Sequence, residues 1–250
     1  SCDSPMDRVR SRMNQALSLF LFGNYSRAER ILTEGTEAAS GLCHGPYLLF
    51  AQFLKARVAF KLGRYTESEE QLWHALSLAT LLDVPHAVFY AWIGRARIYS
   101  GRSGSGRELL ESLSASPEIL YYLSEDRHFE GDDKEALQLI RKACKLQKTD
   151  SVERGGYGGF RWDTGYRDIE DRAFLDASGR GVLQNCITVF HTYLESRRQP
   201  NPSGREVLER VTRSEKLGEL DPFLHYYFLF HALLISEETH NEALERITYL

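Results

Sequence analysis

Along most of the chain, apolar residues return every three or four positions, the spacing that gathers side chains on one face of an α-helix. The clearest run lies between Tyr47 and Leu62, where Leu49, Phe53, Ala56 and Phe60 can face inward together. Short glycine-headed segments punctuate these stripes. Gly23-Asn24-Tyr25-Ser26-Arg27-Ala28 is echoed by Gly63-Arg64-Tyr65-Thr66-Glu67-Ser68 and by Gly131-Asp132-Asp133-Lys134-Glu135-Ala136. A glycine here suits a helix end that enters left-handed backbone, where a Cβ is penalised, and the next helix begins at once. The small residues Ala28, Ser68 and Ala136 fit a close crossing of two helices, and Leu32, Leu72 and Ile140 return to the same face four positions later. The natural unit is an antiparallel helix hairpin.

Helix starts agree with that reading. Ser4-Pro5, Ser116-Pro117 and Asp221-Pro222 place a capping side chain before a proline at the first helical position. Ser203-Gly204-Arg205-Glu206 reads as a capping box ahead of Val207 and Leu208. The pattern predicts helices over 5–22, 25–39, 46–62, 65–81, 85–100, 105–114, 117–130, 132–147, 181–197, 204–216, 222–236 and 238–250.

Ala56, Gly63, Tyr65, Ser68, Leu72 and Ala75 together resemble the tetratricopeptide repeat (TPR); Trp73 is not part of that pattern. Gly94, Gly101, Gly106, Leu110 and Leu113 form a weaker copy, Ser124, Gly131, Ala136, Ile140 and Ala143 a further one, and His240, Ala243 and Ile247 a faint echo. The resemblance covers residues 10 to 147. Its usual period is about 34 residues, whereas the turn glycines Gly23, Gly63, Gly101 and Gly131 are unevenly spaced, so irregular hairpins are expected. The resemblance implies an all-α fold, a right-handed α-solenoid of about six irregular antiparallel hairpins. A generic α-solenoid or an irregular helical bundle shares much of the same periodicity. The expected organisation is TPR-like repeats over 1–147, a Gly/aromatic loop over 148–168, and irregular hairpins over 169–250 packed on the same array.

The implied work is recognition of a peptide or protein segment in the groove of the solenoid. The loop carries Tyr157, Phe160, Arg161, Trp162 and Tyr166, residue types enriched at binding hot spots, and these are the expected partner contacts. The same loop can equally fold back as an internal plug. Tyr226, Tyr227, Phe228, Leu229 and Phe230 surround a helix with apolar side chains, and Ala243, Leu244, Ile247 and Leu250 extend a stripe to the last residue. These two stretches fit burial in the array or a homo-oligomer contact.

Composition narrows the alternatives. The 31 basic residues nearly balance 35 acidic ones, giving a net charge of −4 that offers no general attraction to nucleic acid. No run approaches the roughly 18 apolar residues of a membrane-spanning helix. The 4 cysteines, Cys2, Cys43, Cys144 and Cys186, are too scattered for a zinc site or a dense disulfide framework. Free thiols in a cytoplasmic protein are the expectation. Ser1-Cys2-Asp3-Ser4 also permits a second reading, in which Cys2 is the lipid anchor of a periplasmic component that binds a small ligand or a transport partner.

No cofactor, metal or catalytic assignment follows. The glycines of Gly155–Gly159 and Gly101–Gly106 lack the lysine of a phosphate-binding loop. His191, His225 and His231 form no metal spacing, Asp126, Asp132 and Asp133 no calcium loop, and the adjacency of Cys43 and His44 does not orient a nucleophile and base. Asp163, Asp168, Glu170, Asp171 and Asp176, interspersed with Arg161, Arg167 and Arg172, read as ion pairs, because general acid-base chemistry needs convergence that a linear run does not supply. The chain is therefore expected not to be an enzyme.

Overall fold

A computed structural model describes residues 4–21, 23–150, 187–188 and 190–195 of the 250. Among the described residues up to 150, eight helices follow one another: α1 (Pro5–Leu21), α2 (Tyr25–Gly41), α3 (Gly45–Lys61), α4 (Tyr65–Leu81), α5 (Ala87–Tyr99), α6 (Ser103–Glu111), α7 (Pro117–Phe129) and α8 (Asp133–Asp150). Among the described residues there is no strand. The helices pair as α1–α2, α3–α4, α5–α6 and α7–α8, with additional packing of α2 on α3 and α4 on α5. The first six belong to one compact unit; α7, α8 and the helical residues 187–188 and 190–195 belong to a second. The hairpins expected beyond residue 204 lie outside the described residues, as does the expected 148–168 loop beyond residue 150; its first three residues continue α8 instead.

Each hairpin turn is built the same way. Gly23, Gly63, Gly101 and Gly131 have φ of 77°, 75°, 84° and 85°. At Gly63 the amide donates to Phe60 C=O at 3.0 Å, and the Arg64 amide reaches back to Ala59 C=O at 2.9 Å. Those are the two bonds of a Schellman turn, which satisfy helix-end carbonyls that would otherwise lack donors. The pairs Gly23 and Asn24, Gly101 and Arg102, and Gly131 and Asp132 repeat them. The turns between hairpins use the same geometry without glycine: Cys43 and Asp83 take φ of 51° and 55°, the His44 amide donates to Ala39 C=O at 3.2 Å and the Val84 amide to Ala79 C=O at 2.8 Å.

Helix starts carry the caps expected from sequence. Ser4 Oγ accepts from the Asp7 amide at 3.1 Å, and the Ser4 amide donates to Asp7 Oδ2 at 3.3 Å, a reciprocal box around Pro5. These bonds from Ser4 hold the Asp7 carboxyl below its usual range. Ser116 Oγ accepts from Ile119 N at 3.2 Å and Asp132 Oδ1 from Glu135 N at 3.0 Å. His44, considered above beside Cys43, is the cap of α3: its Nδ1 accepts from Tyr47 N at 3.3 Å.

The small residues sit where expected. Counting from the turn glycine, seven residues back and five residues on meet at the hairpin crossing: Ala16 with Ala28, Ala56 with Ser68, Gly94 with Gly106, and Ser124 with Ala136. Ala16, Ala28, Ala56, Ser68, Ser124 and Ala136 are all fully buried. At the third crossing even a methyl group is too large, since a Cβ on Gly106 would lie 2.6 Å from the Gly94 carbonyl oxygen. Leu32, Leu72, Leu110 and Ile140, four residues further on, are likewise buried, and they fill the space that the close backbones leave.

Candidate partner-binding site

The first helices of the second and third hairpins in the first unit carry a charged residue where the first hairpin has leucine. Six residues before the turn glycine stand Leu17 on α1, Arg57 on α3 and Arg95 on α5. Such positions belong to the inward stripe, and a guanidinium there needs compensation for lost water. Aromatic rings supply it. Arg57 Cζ lies over Phe20 at 4.8 Å, Trp92 at 5.3 Å and Phe53 at 5.9 Å. Arg95 Cζ lies over Phe60 at 5.0 Å, Trp92 at 5.4 Å and Tyr99 at 5.6 Å.

Trp92 is thus shared by both arginines. Its ring meets Phe60 at 5.5 Å and Phe53 at 6.4 Å, each edge-to-face at 89°. Phe60 continues to Tyr99 at 5.0 Å and Tyr65 at 5.2 Å. A seam of rings and guanidinium groups therefore runs across α1, α3 and α5. Each cation over a ring contributes about 0.5–2 kcal/mol, more where water is excluded. Arg95 is 4% exposed. Arg57 is half-buried, makes no ion pair with a described residue, and holds its Nε–H buried without an acceptor.

A second cluster fastens the second hairpin to the third. Glu69 on α4 accepts from Arg97 Nε at 2.8 Å, from Arg102, and from Trp73 Nε1 at 3.4 Å. Arg97 Cζ lies 6.0 Å over the Trp73 ring. Burial pushes the Glu69 carboxyl up, but the bonds from Arg97, Arg102 and Trp73 outweigh it and hold its pKa below the usual range. Trp73, foreign to the repeat pattern, is explained by this clasp.

The residues weighed for chemistry do not converge. Cys43 and His44 serve a turn and a cap, and Cys43 and Cys144 are not joined in a disulfide. Asp126 is buried on α7, while His128 Nδ1 pairs with Asp133 Oδ1 at 2.6 Å across the last turn. His191 Nε2 lies 3.4 Å from Glu195. Among the described residues no three His, Cys, Asp or Glu side chains stand together as metal ligands, and no helix is long and apolar enough to cross a membrane. The expected contacts Tyr157, Phe160, Arg161, Trp162 and Tyr166, together with Cys2, Cys186, His225, His231 and the Tyr226–Phe230 cluster, lie outside the described residues. Arg57 and Arg95 were not singled out from sequence; their common distance from Gly63 and Gly101 is the signal that identifies them.

Hairpins with a left-handed glycine turn, a small-residue crossing at a fixed register and regular stacking define a TPR-like helical repeat fold. No family model matches the chain, and no curated protein matches it. Among solved structures it is similar to a protein of Podosopora anserina described as a kinesin light chain with nearly identical TPR-like repeats: 17% identity, 84% of this chain and 95% of that one covered, TM-score 0.46. A single-substitution variant of the same protein gives 17% identity, 85% and 96% coverage and a TM-score of 0.47.

Proposed function

We propose that this chain is a protein-interaction scaffold, not an enzyme, and that the first-helix layer of its first unit receives a peptide segment of a protein partner. The observation that carries the reading is the seam itself. Two arginines occupy equivalent inward positions of successive hairpins among a run of rings, and Arg57 has a donor without an acceptor among the described residues. Arginine is a residue type enriched at recognition surfaces, and Arg57 is the half-buried member of a seam whose Phe20, Phe53, Phe60, Trp92 and Arg95 are packed in the core and hold it in place. Tyr157, Phe160, Arg161, Trp162 and Tyr166 belong to the same proposal as additional contacts.

The test is direct binding of the labelled full chain to an array of immobilised peptides of diverse composition, competed by the same peptides in solution. Discrete peptides retained with affinities around micromolar support the reading. An array on which no peptide of any composition competes rejects it. Simultaneous change of Tyr157, Arg161 and Tyr166 to alanine is expected to lower retention, and full retention removes those three from the site.

A further inference from the structure

We infer that the solvent-facing stripe of α4, from Glu70 through Trp73 to Leu81, is a second interaction surface, fitted to an amphipathic helix of a protein partner that carries lysine or arginine. The inference goes beyond the first-helix reading above and does not rest on it.

Register carries the first part. Glu70, Trp73, Ser77 and Leu81 stand seven, ten, fourteen and eighteen residues after Gly63, a spacing that lays them along one face of the helix. All four are exposed. The same positions after Gly23 are Arg30, Thr33, Glu37 and Gly41, and after Gly101 the first two are Glu108 and Glu111. Every one of these is exposed, and none carries a large apolar side chain. In this solvated register α4 instead presents an indole that is 40% exposed and a leucine that is 81% exposed. The third hairpin does not extend to cover them: α6 ends at Glu111, level in register with Trp73, whereas α4 runs on to Leu81.

The Trp73 ring is held in one place. Its Nε1–H donates to Glu69 at 3.4 Å, Tyr90 meets it edge-on at 6.2 Å, and Arg97 Cζ lies 6.0 Å over it. A ring already fixed loses little further freedom when a partner covers its open part.

Charge selects the partner. α4 carries Glu67, Glu69 and Glu70 and no lysine or arginine. The neighbouring arginines are engaged, Arg64 by Glu29 and Glu67, Arg97 and Arg102 by Glu69. Glu70 and Asp83 are exposed and have no ion pair among the described residues. They flank the apolar stripe: Glu70 begins it, and Asp83 follows Leu81 by two residues, where the helix dipole adds partial negative charge. From Glu70 to Leu81 the stripe is about 17 Å long, three turns of a partner helix. A helix laid along it sets apolar residues on Trp73 and Leu81 and a cation at each end. An anionic membrane is repelled by the same carboxylates.

The experiment measures, by fluorescence anisotropy, binding of the full chain to three pools of labelled helix-forming peptides, each about four turns long. All pools share an apolar face of helical period and are degenerate elsewhere, with lysine, glutamine or glutamate fixed at both ends of that face. The proteins are the natural chain, Leu81→Gln, the double variant Glu70→Gln with Asp83→Asn and, as a control on the matching stripe of α2, Glu37→Gln. Each is first shown by thermal melting to be folded; Leu81 lies on the surface, and asparagine tolerates the positive φ of Asp83. The natural chain is expected to bind the lysine pool about tenfold more tightly than the glutamate pool at low salt, because two exposed pairs turn from attraction to repulsion. That ratio should shrink as salt rises. Leu81→Gln should weaken the lysine pool several-fold, the double variant should bring the ratio close to one, and Glu37→Gln should change neither.

Equal binding of the lysine and glutamate pools overturns the basic partner. Undiminished binding in Leu81→Gln together with an undiminished ratio in the double variant puts the contact elsewhere and overturns the surface. Sedimentation in which the natural chain dimerises and Leu81→Gln does not assigns the stripe to a second copy instead. Binding of no pool overturns the proposal and leaves the first-helix reading to its own test.

Discussion

The Ser68 hydroxyl donates to the Ala56 carbonyl oxygen at 2.8 Å, tying α4 to α3 at the point where they cross. Two hairpins later the roles reverse: Ser124, on the first helix, donates to Ala136 C=O on the second at 2.7 Å. One hydroxyl and one methyl therefore occupy the same two positions in either order. Ser68→Leu is expected to destabilise the chain by about 1–3 kcal/mol through overpacking, and Ser68→Ala by about 1 kcal/mol through the lost bond. Urea denaturation measures both, and an unchanged midpoint for Ser68→Leu would contradict the crossing.

Two glycines on α6 give a matched pair. A Cβ on Gly104 meets nothing within 4 Å, whereas one on Gly106 would collide with Gly94 backbone and Ile98. Gly104→Ala should stabilise by about 0.5–1 kcal/mol from helix propensity alone. Gly106→Ala should destabilise, because α5 and α6 must separate to admit it. Thermal melts of the two variants should shift in opposite directions.

Much of this was legible in the chain because TPR-like hairpins are specified by local signals. The glycine turns, the proline-headed caps and the small residues at Ala28, Ser68 and Ala136 all act within a few residues of where they stand. The eight described helices match expected ones to within three residues at their ends. The turns at Cys43 and Asp83 were not visible, because neither residue announces left-handed backbone as glycine does. The arginine seam was hidden for a different reason: on a sequence Arg57 and Arg95 read as interruptions of an apolar stripe, and only the rings brought from α1, α3 and α5 explain them.

Asp83→Gly and Cys43→Gly should each raise stability, since both natural residues hold positive φ with a Cβ attached. Relief is expected at about 1 kcal/mol, offset in part by the greater freedom of glycine in the unfolded chain. Gly63→Ala should do the opposite. Melting temperatures of all three variants test the assignment of the turns.

Glu69 gives the clasp a pH dependence. Its folded pKa is depressed below the ordinary 4.5, so its contribution is fully present above that value and is lost as pH falls through the folded pKa. Glu69→Gln should remove that acid-side loss and lower stability at neutral pH by about 1–3 kcal/mol. Chemical denaturation at neutral pH and near pH 3 should show the difference between natural and variant chains narrowing in acid.

The cap of α3 titrates in a higher window. Burial lowers the His44 pKa from 6.5, and its Nδ1 must stay unprotonated to accept from Tyr47 N. The cap is therefore intact above 6.5 and weakens as pH falls through the lower folded value. His44→Asn keeps an acceptor and should abolish this dependence, while His44→Ala should cost about 1 kcal/mol at neutral pH. Stability measured from pH 7 to pH 5 distinguishes them.

Packing between chain neighbours has a kinetic counterpart. Each helix of the first unit meets its main partners within one or two helices along the chain, so the loops that must close during folding are short. Low contact order of this kind gives rapid, nearest-neighbour assembly in which a formed hairpin templates the next. Amide exchange should then follow position in the stack: the amides of α3, covered by α2 and α4, should exchange last, and those at the exposed start of α1 should open far below the barrier to global unfolding.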